Sequence, residues 1–243
     1  TADGNTIRGL VVNQFQQHGI YLLGSDNSII VGNYIGTDVT GTLGLGNGQA
    51  GVTVDASSGN TLGGSTAADR NVIAGNGSNG IVVQNTSTNN NIFGNYIGVD
   101  VTGAAALGNT SDGVVFSSAS SSNQIGSTTA GTGNVISGNN RDGVRFTSAG
   151  VGNTVQGNII GLNAAGNAAV ANAGHGINMI SGTGATTIGG TTTAARNIIS
   201  GNSLSGIVLA SDGHTVQGNY VGVNAAGTAA IGNGVYGIYT SAA

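Results

Sequence analysis

An asparagine followed shortly by a Gly-Ile or Gly-Val pair occurs eight times, and this repeat restricts the possible folds more than any other feature. The asparagines are Asn13, Asn47, Asn76, Asn109, Asn139, Asn172, Asn202 and Asn233, and the glycines are Gly19, Gly51, Gly80, Gly113, Gly143, Gly176, Gly206 and Gly237. Successive glycines lie 29 to 33 residues apart, and after the first pair the asparagine always precedes its glycine by four residues. A repeat of this length indicates a solenoid whose turns pack on their neighbours.

Two kinds of turn alternate along the chain. One kind contains the sequence GN(Y/I)(I/V)G, at residues 32–36, 94–98, 157–161 and 218–222. The other contains N(V/I)I(A/S)GN, at residues 71–76, 134–139 and 197–202. The longer turns carry an insertion after the second apolar segment and the shorter turns carry one after the first, so the two kinds of loop are expected to form two ridges on different sides of the rod.

Each turn contains three short apolar segments separated by glycine and asparagine, which is typical of strands rather than of amphipathic helices. The third segment gives two aligned columns, namely Ile20, Val52, Ile81, Val114, Val144, Ile177, Ile207 and Ile238, and, two residues further on, Leu22, Val54, Val83, Phe116, Phe146, Met179, Leu209 and Thr240. Residues two apart on a strand face the same side, so these columns should stack into one core. The sequence therefore predicts an all-β, single-stranded parallel β-helix of about eight turns, right-handed by the general rule for parallel crossovers.

The aligned asparagines are predicted to form a structural ladder inside the coil. An asparagine at a bend can bond both the backbone and the equivalent asparagine one turn away. The predicted ladder contains Asn47, Asn76, Asn109, Asn139, Asn172, Asn202 and Asn233, and a second one contains Asn33, Asn71, Asn95, Asn134, Asn158, Asn197 and Asn219.

The composition limits the kinds of partner. The chain has nine acidic residues, all Asp, and five basic residues, all Arg, giving a net charge of -4. This balance argues against a nucleic-acid partner, and no apolar run is long enough to span a membrane. We expect one domain over residues 1–243, a fragment or subunit of a longer or assembled structure, whose ends meet other copies end to end or continue in a longer chain.

The motifs N-x-I-x-G-N, G-N-x-I-G-x-D and G-I-x-I resemble the parallel β-helix repeats of large bacterial and archaeal surface proteins with the pectin-lyase-like architecture. The resemblance covers essentially the whole chain and implies an extracellular or cell-surface location. It is weak for function, because this architecture carries polysaccharide lyases, hydrolases, epimerases, adhesins and plain stalks. Gly174, His175 and Gly176 spell the G-H-G of pectin hydrolases, but the paired aspartates of those enzymes are missing.

The residue before each repeated glycine offers the best candidates for catalysis. Asp112, Asp142 and His175 occupy this position on three successive turns, about 5 Å apart, and Arg145 should point outward nearby. Two carboxylates, an imidazole and a guanidinium suit cleavage or rearrangement of an acidic polysaccharide. The alternative, which we prefer, is that a variable bend position holds polar residues that cap the backbone.

Two other groups of residues are candidates for metal or ladder sites. Asp38 and Asp100 begin the long loops and are weak candidates for calcium, but Asn163 and Asn224 replace them in the other repeats, which favours a simple Asx turn. His214 stands where other turns have asparagine and is expected to substitute for it in a ladder. His18 lies in the irregular first turn without an acid in that turn.

The sequence thus favours a noncatalytic extracellular protein without a cofactor, serving as a stalk, an adhesive module or a surface-layer or filament subunit. The alternative is a polysaccharide-binding or polysaccharide-cleaving β-helix. An ice-binding solenoid is a minor alternative, because the outward column of the third strand shows no regular threonine array. A glycan is the external partner that the polysaccharide alternative predicts, and calcium is the one cofactor that the candidates Asp38 and Asp100 leave open.

Overall fold

The structure is a computed structural model that describes residues 2–241, and it is a right-handed parallel β-helix of eight turns with three strands per turn. The first sheet contains β1 (Thr6–Arg8), β4 (Ile29–Val31), β7 (Thr61–Gly63), β10 (Asn91–Phe93), β13 (Gln124–Ile125), β16 (Asn153–Val155), β19 (Thr186–Gly189) and β22 (Thr215–Gln217). The second contains β2 (Val11–Val12), β5 (Tyr34–Ile35), β8 (Val72–Ile73), β11 (Tyr96–Ile97), β14 (Val135–Ile136), β17 (Ile159–Ile160), β20 (Ile198–Ile199) and β23 (Tyr220–Val221). The third contains β3 (Ile20–Leu23), β6 (Val52–Asp55), β9 (Ile81–Gln84), β12 (Val114–Ser117), β15 (Val144–Thr147), β18 (Ile177–Met179), β21 (Ile207–Leu209) and β24 (Ile238–Thr240).

The apolar columns stack in register along the axis, which confirms the predicted fold. In the third sheet, Val114 pairs with Val144 and Phe116 pairs with Phe146. The two phenylalanine rings meet edge to face with their centroids 5.1 Å apart, an arrangement that aromatic pairs favour. One continuous core runs through all three sheets, and most of its side chains are fully buried.

The repeated glycines are required by close packing between turns rather than by positive φ. None of the eight has a φ in the left-handed region. A Cβ on Gly113 would lie 2.6 Å from the carbonyl oxygen of Gly143 and 2.6 Å from the Ile136 side chain. Any larger residue would therefore push two turns apart at this column.

The asparagine ladder is confirmed. Asn109 donates from Nδ2 to Asn139 Oδ1 at 2.9 Å, and Asn139 donates in the same way to Asn172 Oδ1 at 3.0 Å. The same bond links each member from Asn47 to Asn233, and the second ladder from Asn33 to Asn219 is built alike. A third ladder runs through Asn60, Asn90, Asn123 and Asn153.

The long loops form a continuous stack of their own outside the coil. The Val101 N–H donates to the Gly41 carbonyl at 2.9 Å, the Ala164 N–H donates to Gly103 at 2.9 Å, and the same bond recurs one pair of turns further on. The loops therefore touch across two turns, although the sequence predicts them about 10 Å apart. Long and short loops border the second sheet from its two edges and enclose a groove of about 330 Å³ over its first turns.

Two arginines of the short loops cover tyrosines of the second sheet. The Arg70 guanidinium lies 4.0 Å from the centre of the Tyr96 ring, and Arg196 lies 3.9 Å from that of Tyr220. Arg196 follows the one 3-10 turn of the described residues, Thr193–Ala195. In residues 2–241 the structure contains no helix with the length and apolar character needed to cross a membrane.

Candidate functional site

The outer face of the third sheet collects most of the chemically distinctive side chains. Strand alternation points the second residue of each strand outward from this sheet, and in the four-residue strands the fourth residue as well; the second residues form one continuous column. From the first turn to the last these are Tyr21, Thr53, Val82, Val115, Arg145, Asn178, Val208 and Tyr239, paired in register from turn to turn. The bends before and after each strand border this row with further polar residues.

The bend position before the repeated glycine forms a ladder of side-chain to backbone hydrogen bonds. The Asp142 N–H donates to Asp112 Oδ1 at 2.9 Å, and the His175 N–H donates to Asp142 Oδ1 at 2.8 Å. The Ser205 N–H donates to His175 Nδ1 at 3.1 Å, and the Asp112 N–H donates to Asn79 Oδ1 at 3.0 Å. Each polar side chain thus caps the backbone of the following turn, as the structural interpretation of the sequence requires.

The structure brings all four predicted catalytic candidates together, and it also shows how their atoms are engaged. Asp142 Oδ2 accepts a hydrogen bond from Asn178 at 2.8 Å, so both of its oxygens have partners. Asp112 Oδ2 lies 3.9 Å from the Arg145 guanidinium. Burial raises the pKa of Asp112, which is only 3% exposed. Because His175 Nδ1 is an acceptor, the neutral ring carries its proton on Nε2, which makes that atom a donor.

A depression of about 320 Å³ lies on the same face beside this cluster. Val82 and Val115 are the outward residues of the sheet within it, and His18 and Thr53 lie on the side of the first turns. The remaining lining residues are Gln49, Ala50, Ser78 and Asn79 from the bends before the strands, and Gln84, Ser117 and Thr147, which end β9, β12 and β15. Its volume is at the lower end of the range of roughly 300 to 1,000 Å³ typical of small-molecule sites.

A second cluster, which the sequence analysis missed, lies across the first two turns of this face. The Tyr21 hydroxyl donates to Asp55 Oδ2 at 2.7 Å, and the His18 ring stacks on Tyr21 with the centroids 5.1 Å apart. His18 Nδ1 also lies 2.9 Å from Thr53 Oγ1. Asp55 accepts further bonds from Gln84 and Asn85 at 2.9 and 2.8 Å. His18 has no acid in its own turn, but the next turn supplies one.

Three pKa values shift in this cluster. Burial lowers the pKa of His18, although the charge of Asp55 opposes this effect. The hydrogen bond to Asp55 raises the pKa of Tyr21. Burial opposes ionisation of Asp55, but the hydrogen bonds from Tyr21, Gln84 and Asn85 outweigh it and lower its pKa. At neutral pH the cluster therefore holds a neutral imidazole, a neutral phenol and a carboxylate.

The proposed calcium candidates are engaged in their own loops. Asp38 Oδ1 accepts bonds from the N–H groups of Thr42 and Leu43 at 3.1 and 3.0 Å, and Oδ2 accepts one from the Thr40 hydroxyl at 2.7 Å. These bonds, chiefly that from Thr40, lower the pKa of Asp38 to about 2. Asp100 makes the same backbone contacts. Both are Asx turns, and calcium at these loops stays a prediction.

The comparisons with known proteins agree on the fold. Residues 1–104 match the sequence model of a family described as periplasmic copper-binding protein (NosD). No curated protein matches the chain. In part of its length, therefore, the chain is similar to a family of periplasmic proteins.

Solved structures with the same fold include several alginate epimerases. The A-module of the mannuronan C-5 epimerase AlgE4 from Azotobacter vinelandii has a TM-score of 0.61 and 19% identity, over 100% of this chain and 59% of that one. The AlgE6 A-module from the same organism has a TM-score of 0.57 and 18% identity, over 99% of this chain and 59% of that one. The periplasmic alginate epimerase AlgG has a TM-score of 0.56 and 18% identity, over 92% of this chain and 47% of that one. This chain spans 36% to 59% of the length of such structures.

The described residues do not fit a copper site. Within residues 2–241, no three His, Cys, Asp or Glu side chains come together as metal ligands. The sequence has no cysteine, and its single methionine, Met179, is buried in the core. No step of the function proposed below uses a copper ion.

Proposed function

We propose that the chain is a polysaccharide-binding parallel β-helix that receives an extended glycan along the outer face of its third sheet, in the periplasm or outside the cell. The observation that carries this proposal is that the depression and both polar clusters lie on that one face. A straight face with one outward side chain about every 4.8 Å suits a linear polymer. The structural similarity to alginate epimerases and the periplasmic family match over residues 1–104 support it.

Binding rather than cleavage is the function favoured at the central cluster. Both oxygens of Asp142 are hydrogen-bonded within the protein, and Asp112 is almost fully buried. A general acid or base needs an atom within hydrogen-bond reach of the substrate. Arg145 and His175 are partly exposed and remain available for contact with a sugar.

A second candidate function is turnover of the glycan at the cluster of the first two turns. It is favoured by the neutral His18 ring beside a Tyr21 phenol that is oriented by Asp55. Such a set can move protons at a bound sugar. Tyr21→Phe should then abolish product formation without loss of binding, whereas Asp142→Asn should abolish it only if the central cluster is catalytic.

The proposal is tested by calorimetric titration of a panel of polysaccharides, with two matched variants. Ser117→Trp fills the depression from the end of its strand, and Gln124→Trp adds the same side chain to the outer face of the first sheet. We expect binding to at least one polysaccharide, reduced about tenfold or more by Ser117→Trp only. Binding to none, or an equal effect of both variants, would contradict the proposal.

The stalk, adhesive or filament role is supported less well by the comparisons, but self-association remains a proposal about partners. In the last described turn, Val235, Tyr236 and Ile238 are about half exposed. Negative-stain electron microscopy over a concentration series tests this directly. End-to-end association gives fibres, whereas single rods on the order of 40 Å long at every concentration exclude it.

A further inference from the structure

The depression on the third sheet has no charged side chain in its lining. Its apolar part is formed by Val82 and Val115, and every other side chain that borders it is alanine or an uncharged polar residue, apart from His18. Burial lowers the pKa of His18, so this ring is also uncharged at neutral pH. The site therefore offers an apolar surface with neutral hydrogen-bonding groups around it.

Several of these polar groups are not used within the protein. In the part of the chain that the structure describes, the side chains of Gln49, Ser117 and Thr147 make no hydrogen bond. They stand on both sides of the two valines, since Gln49 precedes its strand and the other two end theirs. An amide and two hydroxyls match the hydroxyl groups of a sugar, which both donate and accept.

The charges that adjoin the lining disfavour an anion. The Asp55 carboxylate accepts a hydrogen bond from the lining residue Gln84 at 2.9 Å, so a negative charge adjoins the lining. The cation beside the lining is Arg145, which neighbours Val115 in the sheet and is already 3.9 Å from Asp112. A carboxylate in the depression would lose water, would share Arg145 with Asp112, and would face the like charge of Asp55.

We infer that the depression binds an uncharged sugar residue and discriminates against a uronate, so the preferred polymer is a neutral polysaccharide. This inference rests on the proposed function. It also separates this chain from the alginate epimerases that share its fold, since alginate is a uronate polymer. The residues that discriminate between the two kinds of sugar belong to the first five turns. Arg145, the catalytic candidate predicted from the sequence, is not one of the lining residues but neighbours Val115 in the sheet.

The test compares alginate with carboxyl-reduced alginate, in which each uronate has become the matching neutral hexose while linkage and length are kept. Binding is measured by calorimetry on the complete chain at physiological ionic strength. We expect the reduced polymer to bind about tenfold more tightly or better. Thr147→Arg, which places a cation in the lining, should raise affinity for alginate about tenfold, while Thr154→Arg, a matched outward threonine on the first sheet, should not.

The outcomes separate the two proposals. Tighter binding of alginate than of its reduced form overturns the inference and leaves polysaccharide binding in place. Equal gains from Thr147→Arg and Thr154→Arg mean that net charge alone is sensed, which also overturns it. If neither polymer binds and no other polysaccharide does, the proposed function fails and the inference fails with it. Thermal unfolding of each variant verifies that the fold is intact.

Discussion

Replacing Asn109 by alanine should test whether the asparagine ladder contributes to stability beyond filling space. Asn109 is fully buried; its Oδ1 accepts the Asn76 N–H at 3.1 Å, and its Nδ2 donates to the Ile73 carbonyl at 3.1 Å and to Asn139. The substitution leaves the Asn76 N–H and Asn139 Oδ1 without a partner in a dry interior, whereas the Ile73 carbonyl keeps the bond that it accepts from the Gly98 N–H. Each stranded group costs about 1–3 kcal/mol, so the free energy of unfolding should fall by about 2–6 kcal/mol.

Asn233→Ala is the matched control within the same ladder. Asn233 makes equivalent bonds, to Asn202 and to the Ile199 carbonyl, but it is partly exposed in the last turn. Water can replace the lost bonds there, so its cost should be about 1 kcal/mol or less. The assay is urea unfolding of both variants. The same spectroscopic probe monitors both, because a solenoid need not unfold in one step. Costs for the two variants that agree within about 0.5 kcal/mol would refute the argument, since burial would then make no measurable difference to the lost bonds.

Three further predictions concern single side chains. Arg70→Ala should lower the free energy of unfolding by about 1 kcal/mol, because it removes the guanidinium stacked on Tyr96, and Arg70→Lys should keep only part of this stabilisation. Thermal unfolding measures both variants. An unchanged stability of Arg70→Ala would contradict the stacking contribution. The Asp38 carboxyl should titrate near pH 2 by NMR, so its contribution to stability is present above its unfolded pKa near 3.8 and is lost as pH falls toward 2. Asp38→Asn, which introduces the residue type found at the equivalent Asn163, should remove this pH dependence of stability. A titration midpoint at the unfolded value would disprove the loop hydrogen bonds. Burial lowers the pKa of His214, so its contribution to the free energy of unfolding is present above the unfolded pKa near 6.5 and is lost as pH falls through the folded pKa. His214→Asn should therefore flatten the pH dependence of stability between neutral and mildly acidic pH. An unchanged pH profile of thermal unfolding would show that His214 does not contribute to this dependence.

The fold was predictable because each turn repeats the same local chemistry. The spacing of Asn109 to Gly113, and of its equivalents, fixes the bend, and residues two apart such as Val114 and Phe116 fix the inward face. Repetition then supplies the register, since like residues stack on like. The positions of the core columns and the ladders follow from this without information on distant contacts.

The candidate site was only partly predictable. The column search placed Asp112, Asp142 and His175 on successive turns, as the structure has them, because they share one position of the repeat. It missed the contact of Tyr21 with Asp55, because these residues occupy different positions on neighbouring turns. The irregular first turn hid this diagonal relationship, and the extent of the depression depends on side-chain volumes that a column alignment does not measure.

The contact between long loops sets a rule for how such a chain can change its length. Each long loop after the first donates a backbone hydrogen bond to the long loop two turns earlier, so removal of a single turn would bring two loops of the same kind onto adjacent turns and break this spacing. Removal of two consecutive turns would restore both the coil and the outer stack. The smallest change in repeat number that keeps the loop contacts is therefore the duplication or deletion of a two-turn unit. Engineered versions should be lengthened or shortened by the same two-turn unit.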